Sequence, residues 1–190
     1  MGVRLNLLHQ VTDDELLCLS QRNPGWQFER NAEGELVMSP AGGESGYRSG
    51  QVYLQIELWN RQHGLGLTFD SSTGFNLPDG SCLSPDAAWV HRDRWLALTR
   101  EQRRRYLPLA PDAAFEVRSE SDRLSELRPK MEAYIANGTA LAVLIDPETR
   151  VVEVYRPHQT PQRYDGTAHL LLDPELPGFS LEVQPLFAEP

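Results

Sequence analysis

Residues 111–147, PDAAFEVRSESDRLSELRPKMEAYIANGTALAVLIDP, read as strand, loop, helix and strand. Over residues 113–118 the chain alternates. Ala113, Phe115 and Val117 share one face, and Ala114, Glu116 and Arg118 share the other. A carboxylate and a guanidinium therefore leave the strand in one direction. A strand set between apolar runs is normally buried, and a lone buried carboxylate costs several kcal/mol unless something pairs with it. Upstream, SPDAAWV at 84–90 is a second strand-like run that opens on Asp86. Two acids on two strands, with a cation just after the second, is an arrangement suited to a divalent-metal hydrolase.

Working outward, the helix expected from about Leu124 to Gly138 carries Leu124, Leu127, Met131, Tyr134 and Ile135 on one side. Lys130 falls on the flank of that stripe, where its stem can follow the apolar boundary while its ammonium reaches the strand edge. Pro129 is expected in the first turn, which puts Lys130 near a helix N-terminus. Two hard oxygen donors, Asp86 and Glu116, suit Mg²⁺ or Mn²⁺. Such an ion lowers the pKa of a bound water and polarises a phosphoryl oxygen. Each residue also has a plainer reading. Asp86 follows a proline and can be a turn residue. Glu116 can be a structural ion pair with Arg118 or Lys130, and Lys130 can be a solvated surface lysine. Glu44, after a glycine pair, is either a further acid of the site or a favourable charge at a helix N-terminus.

The rest of the chain supplies a frame. Thr12-Asp13-Asp14-Glu15 is a capping box opening a helix over 13–22. Residues 26–30 and 35–38 read as a hairpin, and 44–62 as the longest helix. Short strands are expected at 67–69, 74–77 and 86–90, and an arginine-rich amphipathic helix at 93–106. A hairpin at 140–155 and short strands at 168–172 and 179–183 close the chain. No repeat or linker interrupts it, so residues 1–190 read as one α/β domain.

Composition narrows the functional classes. A chain of 190 residues can bury a conventional core. No apolar run approaches a membrane span, and no signal peptide is evident, so a cytoplasmic protein without membrane contact is expected. Cys18 and Cys82 lie far apart, as idle thiols in a reducing compartment do. The net charge of −9 opposes indiscriminate polyanion binding but leaves room for a local basic patch. Arg100, Arg103, Arg104 and Arg105 form such a cluster, read either as a solvated face or as a phosphate contact. The five histidines are scattered, with neither zinc nor triad spacing.

SPDAAWV, AFEVRSESD, the lysine of PKMEAYIANG and the closing VLIDPETRVVEVYRP together resemble the Uma2 family of restriction-endonuclease-like proteins, within the PD-(D/E)xK nuclease superfamily. The likeness runs from ELVMSPAGGESG to DPELPGF. It implies an α/β (α+β) restriction-endonuclease-like core: a central mixed sheet flanked by helices, here with an extra N-terminal helix and hairpin and C-terminal strands. It implies metal-binding acids at Asp86 and Glu116, with Glu44 as the acid of the first core helix. The motif lysine would fall at 118, where Arg118 stands; Lys130 on the following helix takes its role of orienting or activating water, and Arg118 stabilises negative charge on the phosphate. The implied activity is Mg²⁺- or Mn²⁺-dependent hydrolysis of phosphodiesters, in DNA rather than RNA, by a homodimer or higher homo-oligomer. The alternative is a nuclease fold without turnover that serves as a nucleic-acid-binding or assembly module.

Overall fold

The structure, a computed structural model, describes residues 3–40 and 42–188. In chain order these form β1 (Val3–Leu5), α1 (Asp13–Arg22), β2 (Trp26–Arg30), β3 (Leu36–Pro40), α2 (Gly43–His63), β4 (Gly66–Asp70), β5 (Phe75–Asn76), β6 (Cys82–Leu83) and β7 (Ala87–His91). There follow α3 (Arg92–Ala97), a 3₁₀ turn, β8 (Ala113–Val117), α4 (Leu124–Ala136), β9 (Leu141–Asp146), β10 (Val151–Tyr155), β11 (Gln162–Asp165), β12 (His169–Leu171), β13 (Ser180–Glu182) and α5 (Gln184–Phe187).

The central sheet has six strands in the order β11-β10-β9-β8-β7-β4. It is mixed: β8 and β9 run parallel, joined by α4 as a crossover, while the remaining neighbours are antiparallel. All five residues of β8 and all six of β9 are buried. The strand alternation sorts their side chains onto two helical layers. Ala87, Trp89, Phe115, Val117, Val143 and Ile145 pack with Val52, Ile56 and Trp59 of α2. Ala88, Val90, Ala114, Ala142 and Leu144 pack with Met131 and Tyr134 of α4. The C-terminal segment lays Leu172, Leu176, Leu181 and Leu186 onto the α2 side. This is the mixed α/β core expected from the sequence.

A smaller sheet runs in the order β1-β3-β2-β6-β5, and β12 and β13 form a two-stranded ribbon. Its strand β2 is pinned by Arg30, whose guanidinium donates to the carbonyls of Val11 and Gly80 and to Asp13. α1 opens on the expected capping box, with Thr12 and Glu15 bonded reciprocally. Two expectations are corrected. The amphipathic run at 93–106 is not one helix: α3 ends at Ala97, Leu98 is extended, and a 3₁₀ turn occupies Gln102–Arg104. The break comes from a second capping box, in which Thr99 N–H donates to the Gln102 side chain and Gln102 N–H donates to Thr99 Oγ1. Nor does Pro129 sit in the first turn. α4 begins at Leu124, so Pro129 lies in the helix interior and leaves Ser125 C=O without its usual donor. Among the described residues no helix is long and apolar enough to cross a membrane.

Candidate active site

Glu116 is the one carboxylate of β8, and alternation turns it to the α4 side. Ala87 on β7 pairs with Phe115, so Asp86, one residue earlier, lies across from Glu116, one residue later. Asp86 precedes the first residue of β7 and its side chain turns to the strand end, near enough to Glu116 for each charge to bear on the other. Asp86 is held from both sides: its Oδ2 accepts from Val117 N–H at 2.7 Å and its Oδ1 from the Ser49 hydroxyl of α2 at 2.9 Å.

α4 delivers the cation. Lys130 and Tyr134 are one turn apart and reach the same atom. Lys130 Nζ lies 2.7 Å from Glu116 Oε1, and Tyr134 O–H donates to that oxygen at 3.1 Å. Lys130 Nζ also lies 2.8 Å from Oε1 of Glu29, which reaches in from β2. That Glu29 oxygen accepts in turn from Ser84 N–H at 2.6 Å, two residues before Asp86. The site thus sits at the seam of the two larger sheets, with Glu116 and Glu29 on one ammonium and Asp86 within reach of its charge.

Burial sets the electrostatics. It pushes the Glu116 carboxyl up, to about 8; Lys130 pulls the other way, while Asp86 and Glu29 add to the rise. Burial also raises Asp86, against the Val117 N–H, Lys130 and Ser49, which favour its charge. For Lys130 burial opposes the charge, yet Glu116 and Glu29 outweigh it, and its pKa ends above the ordinary lysine value. Tyr134 is held well above a free phenol by burial and by Glu116. Lys130 therefore stays an ammonium, while burial holds a proton on Glu116 more tightly than on a free carboxyl.

That donor set fits a divalent cation of the Mg²⁺ or Mn²⁺ kind. Its oxygens are hard, a bound cation would favour the ionised form of both acids, and Glu116 Oε2 has no donor among the described residues. Among those residues no three Asp, Glu, His or Cys side chains are gathered as a metal cage. An ion at Asp86 and Glu116 would keep most of its shell as water, as Mg²⁺ does.

Two expected members stand apart. Arg118 follows the end of β8, and its guanidinium turns to Asp146 at 3.1 Å and Glu148 at 2.7 Å, away from Glu116. Glu44 pairs with Arg48 one turn along α2 and stays 57% exposed, with no bond to the other site residues among those described. Of the arginine cluster, Arg103 lies over the Trp95 ring and Arg105 pairs with Asp14. The sequence reading missed Glu29, Ser49 and Tyr134. Tyr134 had a local signal, being four residues after Lys130 on the apolar stripe. Glu29 had only the alternation of β2, which places it opposite the buried Phe28 and Arg30.

No curated protein matches the chain. Among solved structures, one described as a "putative nuclease belonging to DUF820" from Anabaena variabilis superposes with a TM-score of 0.72. It shares 20% identity, over 85% of this chain and 89% of that one, a likeness that bears on the fold. The family model Uma2, described as "Putative restriction endonuclease", matches residues 13–184. That span takes in the whole central sheet, α4 and every residue of the site: the chain belongs to the Uma2 family.

Proposed function

We propose that this protein is a divalent-metal-dependent endonuclease that hydrolyses phosphodiester bonds in DNA, working as a homodimer in the cytoplasm. The observation that carries the reading is the meeting of Asp86 and Glu116 across β7 and β8, with the Lys130 ammonium on Glu116. Asp86 and Glu116 would hold Mg²⁺ or Mn²⁺, which supplies a polarised phosphoryl oxygen and a more acidic water. The family and the nuclease-like neighbour lend weight to phosphodiester chemistry.

The chain's own groups divide the remaining work. Lys130 stays protonated, so it acts as a donor: it orients the attacking water through a lone pair and stabilises charge growing on a phosphate oxygen. The proton lost by the water must go to an oxygen acceptor, since the ammonium cannot take it. Water oxygen bonds to phosphorus as the bond to the leaving sugar oxygen breaks. Tyr134 and the Val117 N–H hold Glu116 and Asp86 in place without joining the exchange. Arg118 can reach phosphate only by leaving Asp146 and Glu148, so its part is secondary to that of Lys130. Glu44 would join the ion only as an outer acid acting through water.

A second reading, a nuclease fold without turnover that binds nucleic acid or a partner, has one observation in its favour. The motif position after Glu116 holds an arginine committed to other acids. The deciding experiment incubates the protein with supercoiled plasmid, linear duplex, single strands and RNA, with Mg²⁺, with Mn²⁺ and with a chelator. DNA cleavage that needs the ion and is lost in Asp86→Asn supports the first reading. No cleavage of any substrate, together with no heat of Mn²⁺ binding by calorimetry, establishes the second.

A further inference from the structure

Glu29 comes from the smaller sheet, yet its side chain is only 14% exposed and its Oε1 serves two donors, Lys130 Nζ and Ser84 N–H. Its place is built rather than incidental. The next residue, Arg30, is buried and bonded to Val11, Gly80 and Asp13, which fixes the register of β2, and Arg30 pairs with Cys82 of β6. The other face of β2 then carries Glu29 inward, beside the turn that leads to Asp86.

An ammonium has three protons to give. Here one goes to Glu29 and one to Glu116, and the third remains for water or a phosphate oxygen. A cation placed between Asp86 and Glu116 competes with Lys130 for the Glu116 carboxylate, because one oxygen cannot serve a divalent ion and an ammonium equally well. Glu29 faces no such competition, since the Ser84 N–H ties it outside the β7–β8 pair.

Resting on the metal-dependent reading above, we infer that Glu29 is the positioning residue of this site: it keeps Lys130 aimed at the reacting phosphate once a cation has drawn Glu116 away. Glu29 acts through Lys130, neither as a metal ligand nor as a group that touches substrate. The seam between the two sheets is thereby part of the machinery: the Lys130 ammonium has both carboxylates without the ion and keeps Glu29 once the ion is bound.

The test follows the Lys130 side chain directly. In protein labelled with ¹⁵N-lysine, the Lys130 ammonium gives a proton–nitrogen signal only while it is held by hydrogen bonds, and Lys130→Met assigns that signal. In wild type the signal is expected both without metal and at saturating Mg²⁺, shifted in the second case. In Glu29→Gln, which keeps the side-chain length and an acceptor for Ser84, it is expected without metal and lost or broadened with Mg²⁺. Mg²⁺ affinity by calorimetry stays within about threefold of wild type, within the context-dependence of such contacts. Single-turnover cleavage falls about 10- to 100-fold with the DNA Kd unchanged, the mark of a transition-state contact that has been loosened. Persistence of the signal in Mg²⁺-loaded Glu29→Gln overturns the inference, as does its loss from wild type on adding Mg²⁺. A Glu29→Gln protein that no longer binds Mg²⁺ makes Glu29 a ligand instead, which also overturns it. Failure of wild type itself to bind Mg²⁺ defeats the metal-dependent reading and the inference with it, and is seen in a separate arm. A circular-dichroism melt of Glu29→Gln checks that the variant is folded.

Discussion

At the scale of single residues, the site is defined by what Lys130 and Glu116 each lose without the other. Lys130→Met keeps the stem and removes the ammonium, leaving Glu116 and Glu29 buried and facing each other. Removing one partner of a buried pair costs about 3–5 kcal/mol, which urea denaturation at neutral pH would read. Turnover is expected to fall about 10²- to 10³-fold, the usual cost of one transition-state donor. Glu116 gives the pH dependence. Its folded pKa is raised from 4.5 to about 8, so the native state keeps a proton that the unfolded chain has already released. Its contribution to stability is therefore whole below about pH 4.5 and is lost as the pH rises toward 8. Glu116→Gln has no such loss. Its melting temperature is expected to gain on wild type steadily from pH 5 to pH 8, the pH range in which the two states differ in protonation. A constant difference across that range would show that Glu116 is ionised throughout. Mg²⁺ should raise the melting temperature of wild type by mass action and leave Asp86→Asn nearly unmoved.

At the scale of elements, the segment from β8 to β9 was legible because it is local. Alternation in β8, the apolar stripe of α4 and the run of β9 lie close together in sequence, and each has its own period. Asp86 was legible through its strand. The place of Glu29 was not, because nothing in the hairpin Trp26–Pro40 says which face meets Lys130; only the packing of one sheet on another decides that. Arg118 misled for a related reason. Alternation puts it on the side of Glu116, but the strand stops at Val117, and the guanidinium is free to swing to Asp146. The merged helix at 93–106 was a reading that overlooked Thr99 and Gln102. Packing between elements also yields a prediction at β4. A Cβ on Gly66 would stand 2.3 Å from the Val90 carbonyl and 2.5 Å from the Trp89 ring, on the neighbouring strand β7. Gly66→Ala is therefore expected to cost about 1–3 kcal/mol, as overpacking does. Chemical denaturation would measure it, and a cost near zero would mean that β4 can shift away from β7.

At the scale of the whole molecule, two quantities bear on partners. With a net charge of −9, the DNA substrate proposed above would have to be held locally, at the site and its rim, against a repulsive background. Self-association, the other expectation, would need apolar surface, for which Trp59, Trp89 and Trp95 are the first candidates in the sequence. Trp59 and Trp89 are buried core residues, and Trp95 packs on Phe69 and under Arg103. None is free for a partner. The outer side of α2 offers Tyr47, Leu54 and Leu58 instead, each about half exposed. We expect a twofold dimer through that side, with Leu54→Glu shifting it to monomer in light scattering; a wild-type monomer at tens of micromolar (about the upper range for weak dimers) would remove the expectation.

The parallel pair β8–β9, closed by α4, has a further consequence in time. Glu116 and Tyr134 are 18 residues apart, while Asp86 meets Val117 across 31 and Glu29 meets Ser84 across 55. The entropy of closing a loop rises with its length, so the ammonium and its first carboxylate are expected to meet early, on one contiguous segment. The second carboxylate arrives with the hairpin, late. Tyr134→Phe should then slow refolding, whereas Glu29→Gln should act mainly by hastening unfolding. Such an order of assembly would give the young chain a paired Glu116 before any pocket exists for an ion to enter.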